Sequence, residues 1–267
     1  MDKQPRHTFS ICAYGCSPYL EQCISSVLSQ DMPGDVIICT STDNGHIRAL
    51  AKRYGIPLYV RSGQSSLRDD WNYAMRTAAE ERKAEFVTIA HQDDVYHPGY
   101  RRALLEACRR WPDMSLFCTR YETIDAEGHV IPHSIEGIKR ILRMPLRLRG
   151  LSGTRFIKEL PIRFGNGICC PSCSYAAKLT GTSVFSGEYS FVTDWDALIR
   201  LARRPGRFIC DERELISYRV HEGAATSRLT HQGLRGSEEE LMFRKLWPAP
   251  IASLLMIPYR RSYRMYE

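Results

Sequence analysis

The chain has 267 residues, 43% of them hydrophobic and 25% charged, with 37 Lys and Arg against 30 Asp and Glu. These proportions exclude a disordered, collagen-like or fibrous chain and suit one large domain, or a domain with a substantial subdomain, around a buried core. No apolar run approaches the roughly 20 residues that span a bilayer, and the opening Met1-Asp2-Lys3-Gln4-Pro5 resembles no secretory signal, which predicts a cytoplasmic protein.

Strand-like and helix-like patterns alternate over the first 120 or so residues. Thr8 to Ala13 reads as a strand, and Ser17-Pro18 offers an N-cap and a first-turn proline. Tyr19, Leu20, Cys23, Ile24, Val27 and Leu28 follow at helical spacing. Val36 to Cys39 is a second strand, His46 to Tyr54 a helix ended by Gly55, and Pro57 to Val60 a third strand. Asp69 or Asp70 opens a helix through Ala79, Phe86 to Ala90 is a fourth strand, Pro98 starts a helix to Arg110, and Met114 to Cys118 is a fifth strand. This βα alternation predicts an α/β fold with a mostly parallel, Rossmann-like sheet flanked by helices. Such sheets bind ligands at the carboxyl ends of their strands. Tyr14-Gly15-Cys16, Ser41-Thr42-Asp43-Asn44 and His91-Gln92-Asp93-Asp94 should therefore share one crevice. With no G-x-G-x-x-G after the first strand and no G-x-x-x-x-G-K, a dinucleotide dehydrogenase and a P-loop NTPase are disfavoured.

Beyond about Asp125 the regularity fades, which divides the chain into residues 1–125, 126–232 and 233–267. Seven basic residues and no acid lie between Lys139 and Lys158, so the net charge of +7 is concentrated there. Such a segment attracts phosphate or forms a solvated face. Phe164-Gly165-Asn166-Gly167-Ile168 suggests a loop in close approach to ligand or backbone. A helix is expected from Phe191 to Arg203, beginning near Thr193-Asp194, then a strand at Leu215-Ile216-Ser217. Glu238 to Trp247 reads as an amphipathic helix interrupted by Pro248 and Pro250, before a basic and aromatic tail from Tyr259 to Arg264. The ten cysteines fit neither a secreted disulfide scaffold nor a zinc site, and Cys169-Cys170-Pro171-Ser172-Cys173 reads as a structural loop.

Three constellations carry chemistry. Asp93-Asp94 leaves a buried strand, where two acids need a cation or hydrogen-bond donors, and carboxylates with diphosphate oxygens make a hard-cation site. Thr193-Asp194-Trp195-Asp196 opens a helix, as a dipole-stabilised cap or as the seat of a general base. Tyr218-Arg219-Val220-His221 offers a histidine suited to a metal, a diphosphate or the surface.

Their order along the chain resembles glycosyltransferase family 2. Phe9-Ser10-Ile11-Cys12-Ala13-Tyr14 and Tyr19-Leu20-Glu21-x-Cys23-Ile24-x-Ser26-Val27-Leu28-x-Gln30 look like the family's opening. Ser41 to Asn44 resembles the end of its second-strand motif, and Asp69-Asp70-Trp71-Asn72-x-Ala74 its Asn-bearing helix. His91 to Asp94 resembles the metal motif, Asp194 the catalytic acid, and Tyr218-Arg219-x-His221 the late Arg/His motif. The resemblance implies a GT-A fold with an acceptor-side subdomain and a C-terminal helical tail. It further implies inverting hexosyl transfer from a nucleotide-diphosphate sugar, a UDP-sugar in the first instance, to a glycan or lipid-linked acceptor, with Mn²⁺ or Mg²⁺. On it, Asp194 is the general base and Asp93, Asp94 and His221 are metal ligands. Ala13, Tyr14, Gly15, Thr40, Ser41, Asp43, Arg68, Asn72, Gln92, Asp93 and Arg219 bind the donor, and Asn166, Cys170, Trp195 and Asp196 face the acceptor. Cys39-Thr40 replaces the family's acidic pair, His91 its first metal-motif Asp, and Thr193 a frequent Glu.

A sugar nucleotidyltransferase would share the crevice, but its Gly-rich, Lys/Arg-bearing opening loop is absent. As a binding module, the 139–158 segment mixes leucine and isoleucine with arginine, closer to a membrane-surface element than to a nucleic-acid stacking platform. No nucleic acid is expected, and a peripheral position on an anionic inner membrane surface is.

Overall fold

A computed structural model describes residues 4–132, 134–224 and 234–261. Its first part runs β1 (His7–Ala13), α1 (Leu20–Leu28), β2 (Asp35–Thr40), α2 (Gly45–Tyr54), β3 (Leu58–Val60), α3 (Leu67–Glu81), β4 (Phe86–His91), β5 (Val95–Tyr96), α4 (Tyr100–Arg110) and β6 (Met114–Ile124). The remainder is α5 (Ser134–Arg143), α6 (Arg155–Arg163), β7 (Ser174–Ala176), α7 (Ala177–Thr180), α8 (Thr193–Ala202), β8 (Arg207–Arg219), α9 (Leu234–Leu246) and α10 (Ala249–Arg261).

Local signals set several boundaries. The Asn44 side chain accepts the Ile47 N–H at the start of α2, and Gly55 ends that helix at φ 63°, a left-handed conformation natural to glycine. The third helix begins earlier than the acidic pair suggested. Ser66 caps it by accepting the Asp69 N–H, which leaves Asp69 and Asp70 in the first turn. Pro18 does not open α1; the helix begins after Tyr19, whose N–H donates to the Ser17 hydroxyl.

One sheet of eight strands runs in the order β3-β2-β1-β4-β7-β6-β8-β5. Strands β3, β2, β1 and β4 are parallel, as expected. In the second half two short strands run against the other six, and the sheet as a whole is mostly parallel, as expected. Strand β7 enters between β4 and β6 antiparallel to both, while β8 runs parallel to β6 and β5 antiparallel to β8. A three-residue strand after a buried turn is too short to show a period in the sequence, so the inserted strand was not foreseeable. The residue ranges 1–125 and 126–232 both contribute strands to this sheet.

Alternate residues of a strand feed opposite faces. Val36 and Ile38 of β2 join Phe9, Ile24, Leu104 and Phe117 under α1, α2 and α4. Ile37 and Cys39 join Trp71, Leu116, Trp195 and Phe243 under α3, α8 and α9. Both faces are thereby sealed, each large apolar side chain contributing about 1.5–3 kcal/mol. What stays open is the edge where β1 and β4 end, and the polar turns there form the site.

All ten cysteines are free, with Cys169, Cys170 and Cys173 buried around a short helical turn. The basic segment is not a uniform surface. Arg143 is buried, pairs with Glu136 and donates to the Gly167 carbonyl, and buried Lys158 donates to the Arg204 and Gly206 carbonyls. From Tyr259 onward the tail lies outside the described side chains.

Candidate active site

A cavity of about 670 Å³ opens where β1 and β4 end, and both Asp93 and Asp194 line it. Asp93 follows β4 directly. One of its carboxylate oxygens accepts the Ser17 hydroxyl at 3.2 Å, and the other lies 3.3 Å from His221 Nε2. The His221 ring packs on Tyr19 with centroids 4.8 Å apart. The Asp93 carboxylate is the oxygen ligand that a hard cation would take, and the His221 imidazole beside it would add a nitrogen ligand.

Asp94 does not join that pair. Its carboxylate turns inward, where Oδ1 accepts the Arg219 N–H at 2.9 Å and Oδ2 sits 3.9 Å from His91 Nδ1. Burial pushes its carboxyl well above the usual range, and the neighbouring Asp93 charge adds to this. Among the described residues, the set of three ligand atoms within 4.8 Å of one another is Asp125, Glu127 and His129, not Asp93, Asp94 and His221. Glu127 and His129 of that set are exposed. His91, where the family has an acid, is stacked on Trp71 at 5.1 Å, and burial lowers its pKa to about 4.

Arg219, expected on the donor, borders the cavity, and its guanidinium is also engaged within the protein. Nε donates to the Asp93 carbonyl, Nη1 to the carbonyls of Asp125 and Ala126, and Nη2 to Gln22 Oε1, all at 2.6–3.0 Å. The charge also lies 4.6 Å above the Tyr19 ring. The late motif thus braces the turn that presents Asp93.

At the donor end, Ala13, Tyr14 and Gln92 line the cavity, and the Gln92 carboxamide exchanges two hydrogen bonds with the Tyr14 backbone. Gly15 donates to the Thr42 hydroxyl, tying the first loop to the second. Thr40, Ser41, Asp43, Arg68 and Asn72 are absent from the described lining. Thr40 is buried and shares its hydroxyl with Thr42, Ser41 donates to Asp70, Asp43 pairs with Arg48, and Arg68 pairs with Asp69. Asn72 exchanges two hydrogen bonds with the Phe185 backbone, at 2.8 and 2.9 Å. That side chain pins a distant loop. Asp70, not among the expected site residues, is the acid of this helix that faces the cavity, held by Arg61, Ser41 and Ser65.

At the far end, Asp194 is half-buried. Oδ2 accepts from Asn166 at 2.8 Å and Oδ1 accepts the Trp195 N–H at 2.8 Å. Burial raises its carboxyl above the ordinary range, while the Trp195 N–H, the Lys139 charge and Asn166 oppose the rise. Asn166 and Cys170 share the lining as expected. Trp195 borders it from the core, its indole N–H donating to the Ile162 carbonyl. Asp196 does not face the acceptor: it is buried against Ser186, Arg200 and Lys245, which join α8 to α9. Lys139, hidden within the basic run, reaches the cavity and sits 5.4 Å from the Tyr121 ring. Only its place on the inward side of α5, four residues before buried Arg143, could have marked it.

The description "Glycosyl transferase family 2" matches residues 8–179, well over half of the chain. The chain belongs to glycosyl transferase family 2. Its fold is GT-A. The chain resembles S. aureus TarS 1–349 in complex with UDP-GlcNAc at TM-score 0.59 and 14% identity, covering 83% of this chain and 60% of that one. It also resembles the mannosyltransferase PcManGT from Pyrobaculum calidifontis in complex with GDP-Man and Mn²⁺, at TM-score 0.59 and 12% identity, covering 100% of this chain and 77% of that one. It thus spans less than two thirds of that TarS structure. No curated protein matches it. Asp93, Asp94, Asp194 and Arg219 all line one cavity, whereas Asn72 faces inward.

Proposed function

We propose that this family 2 member is an inverting glycosyltransferase that moves a sugar from a nucleotide-diphosphate sugar, a UDP-sugar, to a hydroxyl of a glycan or lipid-linked acceptor. The observation that carries this reading is the shared cavity of Asp93 and Asp194, acids far apart along the chain. Solved relatives in the fold hold UDP-GlcNAc or GDP-Man, one of them with Mn²⁺.

Ala13, Tyr14 and Gln92 border the nucleoside, and Asp93 with His221 would hold the cation, Mn²⁺ or Mg²⁺. When bound, such a cation neutralises charge that develops on the departing diphosphate. Asp194 takes the proton of the acceptor hydroxyl as its oxygen attacks the anomeric carbon. The bond from that carbon to the diphosphate breaks, and the nucleoside diphosphate leaves with both electrons. Asn166 and the Trp195 N–H orient the carboxylate, and its raised pKa makes it a stronger base than an exposed aspartate, provided it is ionised.

A peripheral position on the inner membrane surface goes with the lipid-linked form of the acceptor. No helix among the described residues is long and apolar enough to cross a membrane. The test is transfer and donor binding in Asp194→Asn and Asp93→Ala. Asp194→Asn should lose transfer by roughly 10²–10⁴-fold, the worth of a general base, and keep donor affinity; Asp93→Ala should lose the Mn²⁺ dependence of donor binding. Normal turnover by Asp194→Asn refutes the base assignment.

A further inference from the structure

Beyond Asp194 the cavity changes character. Its wall is formed by Ile138 and Leu142 of α5, Phe164 and Ile168 of the following loop, Phe191 before α8, and Leu255 of α10. Saccharides are recognised through dense polar contacts, whereas these six side chains offer no hydrogen-bond donor or acceptor and suit hydrocarbon. Among the described residues, the polar groups on this side are Asn166 facing Asp194, Arg235 paired with Glu239, and Lys139 by Tyr121.

This lining does not stop at the mouth. Ile138 is 56% exposed and Phe164 45% exposed, although both border the cavity. On α5 the exposed apolar surface continues with Ile141, and on α10 with Leu254, each 65% exposed. Met144, Leu148, Leu151 and Phe156, on the segment from α5 to α6, are exposed as well. Large exposed apolar side chains in such number mark a surface that takes a partner.

The charge around it is positive. Of the seven basic residues in this segment, Arg143 and Lys158 are buried, while Arg147 and Arg155 pair with Glu212 and Glu159. Arg140 is exposed, Arg149 half-exposed, and Lys139 reaches the cavity. Apolar side chains with interspersed cations are the two signals that together hold a protein on an anionic bilayer.

We propose that the far end of the cavity and the surface around its mouth form one apolar site for the lipid part of an amphiphilic acceptor, delivered from an anionic bilayer on which this face rests. The inference deepens the glycosyltransferase reading and rests on it. It selects the lipid-linked acceptor over a free glycan. The hydroxyl to be glycosylated meets Asp194, while the adjoining hydrocarbon runs along Leu142, Phe164 and Leu255 towards the membrane.

The test uses the full chain with Ile141→Glu and Leu254→Glu combined, both on exposed positions outside the cavity lining, and vesicles of equal parts phosphatidylglycerol and phosphatidylcholine. The wild type should sediment with these vesicles and less with phosphatidylcholine alone. The double variant should lose on the order of tenfold in partitioning for each apolar contact removed, and lose kcat/KM to the same degree on a vesicle-borne lipid-linked acceptor. Its thermal stabilisation by nucleotide-sugar with Mn²⁺ should be unchanged. Wild type that stays in the supernatant, a variant that binds like wild type, or dimers broken by the double variant would each overturn the proposal, the last by showing a second copy on this face. Equal use of a free glycan would overturn it as well. Loss of nucleotide-sugar stabilisation in the wild type is the separate failure, that of the glycosyltransferase reading itself.

Discussion

Replacing Arg219 with Lys separates a bracing role from donor contact. The side chain is 2% exposed and donates to the carbonyls of Asp93, Asp125 and Ala126 and to the Gln22 carboxamide. Lysine keeps the charge but directs all its donors from one atom, and it cannot span partners that surround a planar guanidinium. At about 1.5–3 kcal/mol per charged hydrogen bond, loss of two of the four costs roughly 3–6 kcal/mol, a large share of a typical 5–15 kcal/mol. Urea unfolding should show this loss. Mn²⁺ titration in the presence of UDP should show weaker metal binding, because the Arg219 guanidinium holds the Asp93 carbonyl and with it the turn that presents the Asp93 carboxylate. Undiminished stability combined with weaker UDP affinity would refute the bracing role and return Arg219 to the donor.

Three other substitutions probe the inward-facing polar groups. Asp196→Asn removes the charge that faces Arg200 and Lys245; it should cost about 3 kcal/mol in unfolding experiments and leave kcat intact, and a lost kcat at full stability would place Asp196 in the chemistry. Asn72→Ala strands the N–H and carbonyl of Phe185, for about 1–3 kcal/mol, with donor KM unchanged; a raised KM without destabilisation would contradict this. His7 is buried against the Thr88 hydroxyl, and burial, with the Arg101 charge, lowers its pKa from 6.5 to about 3. Because the folded value is depressed, the stability it contributes is complete above pH 6.5 and is lost from there down towards pH 3, at about 1.4 kcal/mol per pH unit. His7→Gln should flatten that part of the pH–stability curve, and an identical slope in both proteins would exclude His7 as its source.

The first half of the fold was legible because buried parallel strands and amphipathic helices leave strong periods, and polar turns between them mark the strand ends. The inserted β7 left none. In the site, Asp93, Asp194, Asn166 and Gln92 were legible because turn and cap positions at strand ends face the crevice. Arg68, Asn72 and Asp196 sit beside the same motifs, yet each turns to a partner more than a hundred residues away or to its own helix turn. Sequence order carries no trace of such long-range pairing. The basic run misled in the same way, since one charge pattern held Lys139 for the cavity, Arg143 and Lys158 for the interior, and Arg140 for the surface.

The central claim is that Asp93 and Asp194 act on opposite sides of one bound sugar nucleotide. A crystal structure of the chain with UDP-sugar and Mn²⁺, supported by the Asp194→Asn variant to prevent turnover, tests it most directly. The account predicts the cation on Asp93 and the diphosphate, and the anomeric carbon turned towards residue 194. A nucleotide bound outside this cavity, or a sugar facing away from residue 194, would contradict it.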